Sequence, residues 1–357
     1  FKRGVIFLIE RKIKKEVKIG TVTIGGKNPI AVQSMTNTDT RDTEKTISQI
    51  KALESAGCDI VRCAVPDMQA AEAMGIIKKG INIPLVADIH FDYKIAIKCM
   101  ENGVDKIRIN PGNIGSRDKV KEVAKNAEYY GVPIRIGVNG GSLEKDLLQK
   151  YGRPSPQALV ESALRHVEIL NDVGFFNTVV SIKLSDVPDM MDAYRIFSAE
   201  NDIPLHVGVT EAGSEHMGLI KSSVGIGGLL SEGIGDTIRV SLTADPLKEI
   251  SAAKDILKAL DLIKGGVRLV SCPTCGRTQI DLISIANEVE KRVENINKDI
   301  KVAVMGCAVN GPGEARDADV GIAGGKGEGL IFKNGKIIRK VPESILVDEL
   351  MKEIENL

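Results

Sequence analysis

Eight short apolar runs rich in valine and isoleucine alternate with amphipathic stretches over the first 262 residues. The runs are PIAVQSMT (29–36), DIVRCAVP (59–66), IPLVADIH (83–90), DKIRINPG (105–112), VPIRIGVNG (132–140), NTVVSIKLSD (177–186), IPLHVGVTEAG (203–213) and DTIRVSLT (236–243). Each has the length of a buried strand, and the segments between them carry helical spacing. In DTEKTISQIKALESAG (42–57), for example, Ile47, Ile50, Leu53 and Ala56 share one face, and Gly57 supplies a stop. Strand and helix alternating in this way pair in parallel. Eight βα units over roughly 230 residues match a closed (β/α)8 barrel better than an open doubly wound sheet, which normally uses fewer strands and a glycine-rich first turn. The expected fold class is therefore α/β, a parallel TIM barrel over residues 1–264.

After LDLIKGG (260–266) the rhythm changes. VRLVSC reads as a strand, TQIDLISIANEVEKRVENI as a helix and IKVAVMGCAVNGPGE as a second strand that ends in a glycine-rich turn. DVGIAGGKGEGLIFKNGKIIRKV then predicts hairpin strands with a turn at Asn334-Gly335, and PESILVDELMKEIENL a last amphipathic helix. This describes a small α+β domain over residues 265–357.

Polar residues sit at period-two spacing near the ends of the barrel runs, so they share a face of each strand. Asp88 with His90, Arg108 with Asn110, Arg135 with Asn139, Lys183 with Ser185, and Arg239 with Ser241 form such pairs, and Arg62 and His206 sit similarly. Inward polar groups at the carboxyl ends of barrel strands are where this fold builds active sites. One such arginine is ordinarily a solvent-facing or ion-paired side chain. Four apolar-Arg-apolar strands and a lysine converging in one barrel repel each other without a multiply charged guest, which points to an anionic substrate such as a phosphate or diphosphate. RINPGN and GVNGGS add glycine-rich loops whose N–H groups suit an anion.

Composition narrows the classes. Of the 357 residues 43% are hydrophobic and 27% charged, the balance of a soluble globular protein rather than a disordered or fibrous one. Lys plus Arg and Asp plus Glu both number 48, so bulk charge points to neither nucleic acid nor membrane, and any anion site must be local. VIFLI (5–9) is too short to span a bilayer. Six cysteines without a secretory signal fit a reducing, cytoplasmic setting. Residues 1–10 carry no assigned role.

Cys272 and Cys275 close the first strand of the C-terminal domain and Cys307 the second, so a βαβ crossover can bring three thiols to one edge. A structural zinc site usually needs a fourth cysteine or a histidine. No histidine follows His216 and no cysteine follows Cys307, whereas Glu314 lies seven positions on. Three thiolates and an oxygen ligand suit an iron–sulfur cluster with one exchangeable iron. Zinc with a borrowed ligand and a thioredoxin-like redox pair stay open as alternatives. Cys58, Cys63 and Cys99 read as buried apolar residues.

VQSMTNTDT, ADIHFDY, KIRINPGN, RIGVNGGSL, SIKLSD, LHVGVTEAG, SCPTCGRTQ and MGCAVNGPGEA, in that order, resemble the hydroxymethylbutenyl diphosphate synthase family of the non-mevalonate (MEP) isoprenoid pathway. The resemblance implies an oxidoreductase that opens and dehydroxylates methylerythritol cyclodiphosphate with two electrons. It implies a 4Fe-4S cluster on Cys272, Cys275, Cys307 and Glu314, with Asn310 close to the open iron. It places Arg62, Asp88, His90, Arg108, Asn110, Arg135, Asn139, Lys183, Ser185, His206, Arg239 and Ser241 around the substrate, and makes Glu211 the proton donor to the departing hydroxyl. It further implies a flavodoxin or ferredoxin donor and a head-to-tail homodimer, hinged around Ile263 to Gly266, in which the cluster domain of one subunit caps the barrel of the other. Two rival functions are a pterin-diphosphate type barrel transferase with a structural zinc module, and an iron–sulfur electron carrier or sensor on an inert barrel. The convergent arginines count against the carrier.

Overall fold

A computed structural model describes residues 9–357, apart from 115, 295, 309–312 and 314 and the side chains of 111 and 112. The chain divides into two units, Phe1–Leu262 and Ile263–Leu357.

The first unit begins with a hairpin that the sequence pattern did not reveal. Its strands, β1 (Val17–Ile19) and β2 (Val22–Ile24), pair antiparallel around Gly20-Thr21. Gly20 takes a φ of 55°, where a side chain is disfavoured, and a Cβ there would also strike Asp105. Val17, Ile19 and Ile24 pack with Ala31, Ile60, Val86 and Val179 from the barrel strands, so the hairpin stoppers one end of the barrel with an apolar layer.

Eight strands follow: β3 (Ala31–Met35), β4 (Ile60–Ala64), β5 (Leu85–Ile89), β6 (Lys106–Ile109), β7 (Ile134–Asn139), β8 (Thr178–Lys183), β9 (His206–Val207) and β10 (Thr237–Ile238). They pair in parallel in the order β8-β7-β6-β5-β4-β3-β10-β9, the expected (β/α)8 barrel. The seam between β8 and β9 is held by a single bridge, Val180 to Leu205. Tyr194, from the helix Val187–Glu200, reinforces it. Its hydroxyl, fully buried, accepts from Ile182 N at 3.0 Å and donates to His206 O at 2.6 Å. Left unpaired, two buried backbone groups here would each cost about 1–3 kcal/mol.

β9 and β10 are much shorter than the apolar runs that announced them. The chain leaves ladder geometry at Gly208, where a Cβ would lie 2.6 Å from Arg239 O. Polar residues then take over the mouth of the barrel. Helix starts follow the sequence signals closely: Asp42, Asp67, Asp92, Ser155, Asp186 and Asp245 each accept a backbone N–H in the first turn of the helix they precede.

In the second unit β11 (Val267–Ser271), β12 (Ile300–Met305), β13 (Val320–Gly325), β14 (Glu328–Lys333) and β15 (Lys336–Pro342) form one sheet in chain order. β11, β12 and β13 run parallel, and β14 and β15 return antiparallel. The turn falls at Asn334-Gly335, with φ of 47° and 73°, as the sequence predicts. Helices Leu282–Val293 and Leu346–Glu355 lay Ile285, Val289, Leu350 and Ile354 against Val302, Val304 and Ile322.

Candidate active site

A cavity of about 310 Å³ opens at the carboxyl ends of the barrel strands, lined by Arg62, Asp88, His90, Arg108, Arg135, Asn139, Ser181, Lys183, Thr210, Glu211, Arg239 and Ser241. Ten of the thirteen barrel residues singled out from the sequence therefore meet in one place. A larger hollow of about 530 Å³, lined by Lys18, Glu101, Asp105, Tyr130 and the loops beside them, gathers no comparable set of charges. Its Asp105 already holds the Lys78 ammonium and the Leu85 N–H.

Asp88 organises the cations. Its carboxylate accepts from Arg108 Nη1 at 3.1 Å and lies 3.6 Å from Arg62 Nε. Burial alone would raise the carboxyl, but Arg62 and Arg108, then His90 and Arg135, override it and hold the group at about 2. Arg108 also reaches Gly137 O at 3.5 Å. It passes where a Cβ at Gly137 would stand 2.4 Å from its Nε, so only glycine leaves it room. Arg62 rests its Nε and Nη2 against Met35 Sδ at 3.2 and 2.9 Å. Arg239 pairs at 3.4 Å with Glu249, which is also fixed by the Leu242 N–H and Ser34 hydroxyl.

The charges do not balance. Five cations line the cavity, and Asp88 and Glu211 are its only acids among the described residues. Arg135 is fully buried and none of its three guanidinium nitrogens has a partner. Burial, then Arg62 and Arg108, push its proton affinity well below the ordinary arginine value. Lys183 is driven down the same way, by burial first and then by Arg62, Arg239, Arg135 and Arg108. Such a set of donors without acceptors is the local environment that a multiply charged oxyanion satisfies.

Three expected residues fall outside the cavity lining. Asn110 is buried and donates to Ser142 Oγ at 2.7 Å, bracing the loop after β7. Ser185 is exposed beyond the end of β8. His206 is fully buried, with Nδ1 on Thr237 Oγ1 at 2.7 Å and Nε2 unpartnered. Burial, then Arg135, Lys183 and Lys106, hold that imidazole far below its usual range, in the neutral form. Two lining residues were missed, Ser181 and Thr210. Both obey period two: Ser181 lies two residues before Lys183 on β8, and Thr210 four residues after His206, past Gly208.

Glu211 stands exposed at the cavity with a φ of 51°, a left-handed conformation rare outside glycine. Backbone held there in a non-glycine residue concentrates at functional sites.

In the second unit Cys272 and Cys307 follow β11 and β12, which are parallel neighbours with Ser271 opposite Val304. Gly306 N donates to Cys272 Sγ at 3.1 Å. Cys275 is exposed in the turn between, and N–H donation from the Arg277 backbone, then its guanidinium and the Thr278 hydroxyl, favours its thiolate. This is a thiolate-stabilising edge that fits a sulfur-ligated metal group. Among the described residues no three donors are gathered closely enough to define a metal site. Glu314 and Asn310 lie outside the described residues. The other cysteines behave as anticipated: burial raises the thiols of Cys58, Cys63 and Cys99 to about 12, 11 and 12.

Two family models cover the chain, the GcpE TIM-barrel domain over residues 14–254 and the GcpE protein C-terminal domain over residues 268–356. The 4-hydroxy-3-methylbut-2-en-1-yl diphosphate synthase (flavodoxin) of Clostridium acetobutylicum is 64% identical over 349 residues, 98% of this chain and 100% of that protein. The protein of that name from Geobacter sulfurreducens is 60% identical over 343 residues, 96% of this chain and 97% of its own. Among solved structures, dihydropteroate synthase from Yersinia pestis aligns with a TM-score of 0.52 at 14% identity, over 70% of this chain and 99% of that one. The Stenotrophomonas maltophilia enzyme gives 0.52 at 12%, over 69% and 97%. At that identity the likeness extends to the barrel fold alone.

The Asp88 geometry sets an acid-side prediction. Its folded-state value of about 2 lies below the ordinary 3.8, so its contribution to stability is complete above about pH 4 and disappears as pH falls through about 2. Urea melts of wild type and Asp88→Asn should differ near pH 6, with the gap shrinking by on the order of 2 kcal/mol toward pH 2. A gap that does not change with pH would contradict the Asp88 assignment.

Proposed function

The chain belongs to the GcpE family, and from that premise we propose that it is an oxidoreductase of isoprenoid precursor biosynthesis. It converts 2-C-methyl-D-erythritol 2,4-cyclodiphosphate to 4-hydroxy-3-methylbut-2-enyl diphosphate. Two electrons enter, the ring C–O bond to phosphate opens, and the neighbouring hydroxyl leaves as water with a proton. The observation that carries this reading is the cavity itself: five cations against two acids at the catalytic end of a barrel. A cyclic diphosphate supplies the missing negative charge.

In this reading the barrel unit binds substrate and the second unit holds the cluster. Arg62, Arg108, Arg135, Lys183 and Arg239 clamp the phosphoryl oxygens, with Arg135 gaining the partners that it lacks in the free protein. Asp88 keeps Arg62 and Arg108 spread at fixed spacing, so the site is organised before substrate arrives. His90, Asn139, Ser181, Thr210 and Ser241 fill the rest of the wall. Glu211, exposed and presented by its left-handed backbone, delivers the proton to the leaving hydroxyl.

Cys272, Cys275 and Cys307, joined by Glu314, would hold a 4Fe-4S cluster, which supplies the two electrons one at a time when bound. The Gly306 N–H on Cys272 and the Arg277 donors at Cys275 suit thiolates in that role. The electron donor is a flavodoxin or ferredoxin, the former being part of the relatives' names. The working form is a cytoplasmic head-to-tail homodimer, the second unit of one subunit capping the barrel of the other. Gly265 and Gly266, with φ of 94° and 81°, give the connection its freedom to bend. Full activity from a species that sediments as a monomer would contradict the capping arrangement. Among the described residues no helix is long and apolar enough to cross a membrane.

Anaerobic purification should yield iron and sulfide without stoichiometric zinc, and Cys307→Ser should lose the brown chromophore and turnover together. Stoichiometric zinc without iron, or an intact chromophore in the variant, would count against this ligand set. Glu211→Gln should keep the chromophore and substrate affinity while kcat falls by about 10²-fold or more; unchanged kcat would remove Glu211 as proton donor.

A further inference from the structure

One buried lysine has no part in the site described above. Lys106 opens β6 and is fully buried, and its Nζ has no hydrogen-bond partner. It shares a strand face with Arg108, two residues on, yet does not line the cavity. Its register partner on β5 is Val86, a member of the apolar layer built on the N-terminal hairpin. The ammonium position therefore lies between an apolar stopper and the cationic cavity.

The groups it faces make a proton there costly. Arg135 of β7 and Arg62 of β4 act on it directly, and His206 of β9 feels it in turn. Arg108 on its own strand, Lys183 of β8 and Arg239, just past β10, add positive charge around the same interior. Asp88 of β5 is already shared by Arg62 and Arg108, and Glu249 is engaged by Arg239. The hairpin residues beneath, Val17, Ile19 and Ile24, offer no acceptor. An arginine keeps its proton in such surroundings, whereas a lysine gives it up.

We propose that Lys106 is an uncharged amine in the free barrel and takes up a proton when an anionic ligand enters the cavity above it, so that ligand binding draws protons from solution. The anion reverses the local field, and the buried, unpartnered amine two residues below Arg108 becomes able to hold a proton. Burial, then Arg135 and Arg62, already press its proton affinity well below that of a free lysine. Lys183 shares the effect from within the cavity. Linkage fixes the sign: uptake on binding makes affinity fall as pH rises, by up to about tenfold per pH unit for each proton taken up. Lys106 thus tunes the pH range over which the cavity holds its anion.

This inference rests on the anion-site reading, and the experiment separates the two. The full-length protein is titrated calorimetrically with the cyclic diphosphate in buffers of different ionisation enthalpy near pH 8. Both phosphoryl groups of that ligand are ionised well below neutrality, so any proton uptake belongs to the protein. Wild type should take up protons, and Lys106→Met should take up measurably fewer, with a flatter dependence of Kd on pH. Binding without uptake, or equal uptake in the variant, overturns the inference while leaving the proposed substrate intact. If the cyclic diphosphate does not bind, the substrate assignment fails and sulfate, which does not titrate in this range, decides the inference by the same comparison; absence of sulfate binding also overturns it. Without ligand, wild-type stability should rise with pH across the alkaline range, because the unfolded lysine binds a proton that the folded one does not, and Lys106→Met should flatten that slope. Should Lys106→Met not fold, Lys106→Gln makes the same comparison, and equal uptake there overturns the inference.

Discussion

Uncompensated positive charge inside a low-dielectric barrel is the constraint around which this molecule is arranged. Arg62, Arg108, Arg135, Lys183 and Arg239 converge on one cavity, and among the described residues Asp88 is the single buried acid in its lining. Burying a charge without a partner costs several kcal/mol, so the site is sustained by the rest of the fold and relieved by a ligand. The fold provides that support visibly. The β1–β2 hairpin shuts one end with aliphatic side chains, Tyr194 clasps the thin seam between β8 and β9, and Gly137 gives Arg108 its path. A free energy deficit of this kind, stored before binding, is what makes a site selective for a dianion over a neutral sugar of the same shape.

The same constraint separates the candidate functions. An electron carrier gains nothing from an interior that opposes its own folding. Dihydropteroate synthases share the barrel fold at low identity, and that likeness stops at the fold. The chemistry diverges at the second unit, where the β11 and β12 edges present three cysteines, with backbone donors aimed at two of them. In the proposed function, barrel and cysteines together account for a substrate that must be both held as an anion and reduced.

Much of this was legible in the chain. Val- and Ile-rich runs at βα spacing specify the barrel because a buried parallel strand leaves a nearly continuous apolar signature. Alternation then gave the inward face of each run, and with it most of the cavity. Misses trace to the limits of the same signal. Spacing alone pairs Ser185 with Lys183, whereas β8 ends at Lys183 and the inward neighbour is Ser181. His206 lies on the right face but too deep, a distinction of height that period two does not contain. The hairpin escaped because three-residue strands carry too little pattern, and no local sequence rule marks the left-handed backbone of Glu211. Lys106 escaped for the converse reason: its type and spacing look ordinary, and only burial without a partner makes it unusual.

The most direct measurement is turnover by the anaerobically purified, iron-loaded protein given the cyclic diphosphate and reduced flavodoxin, followed by phosphorus NMR. The account predicts loss of the cyclic diphosphate signals and growth of those of a linear allylic diphosphate, one molecule for every two electrons consumed. Cyclic diphosphate that binds to the loaded, reduced enzyme and remains unchanged would contradict it.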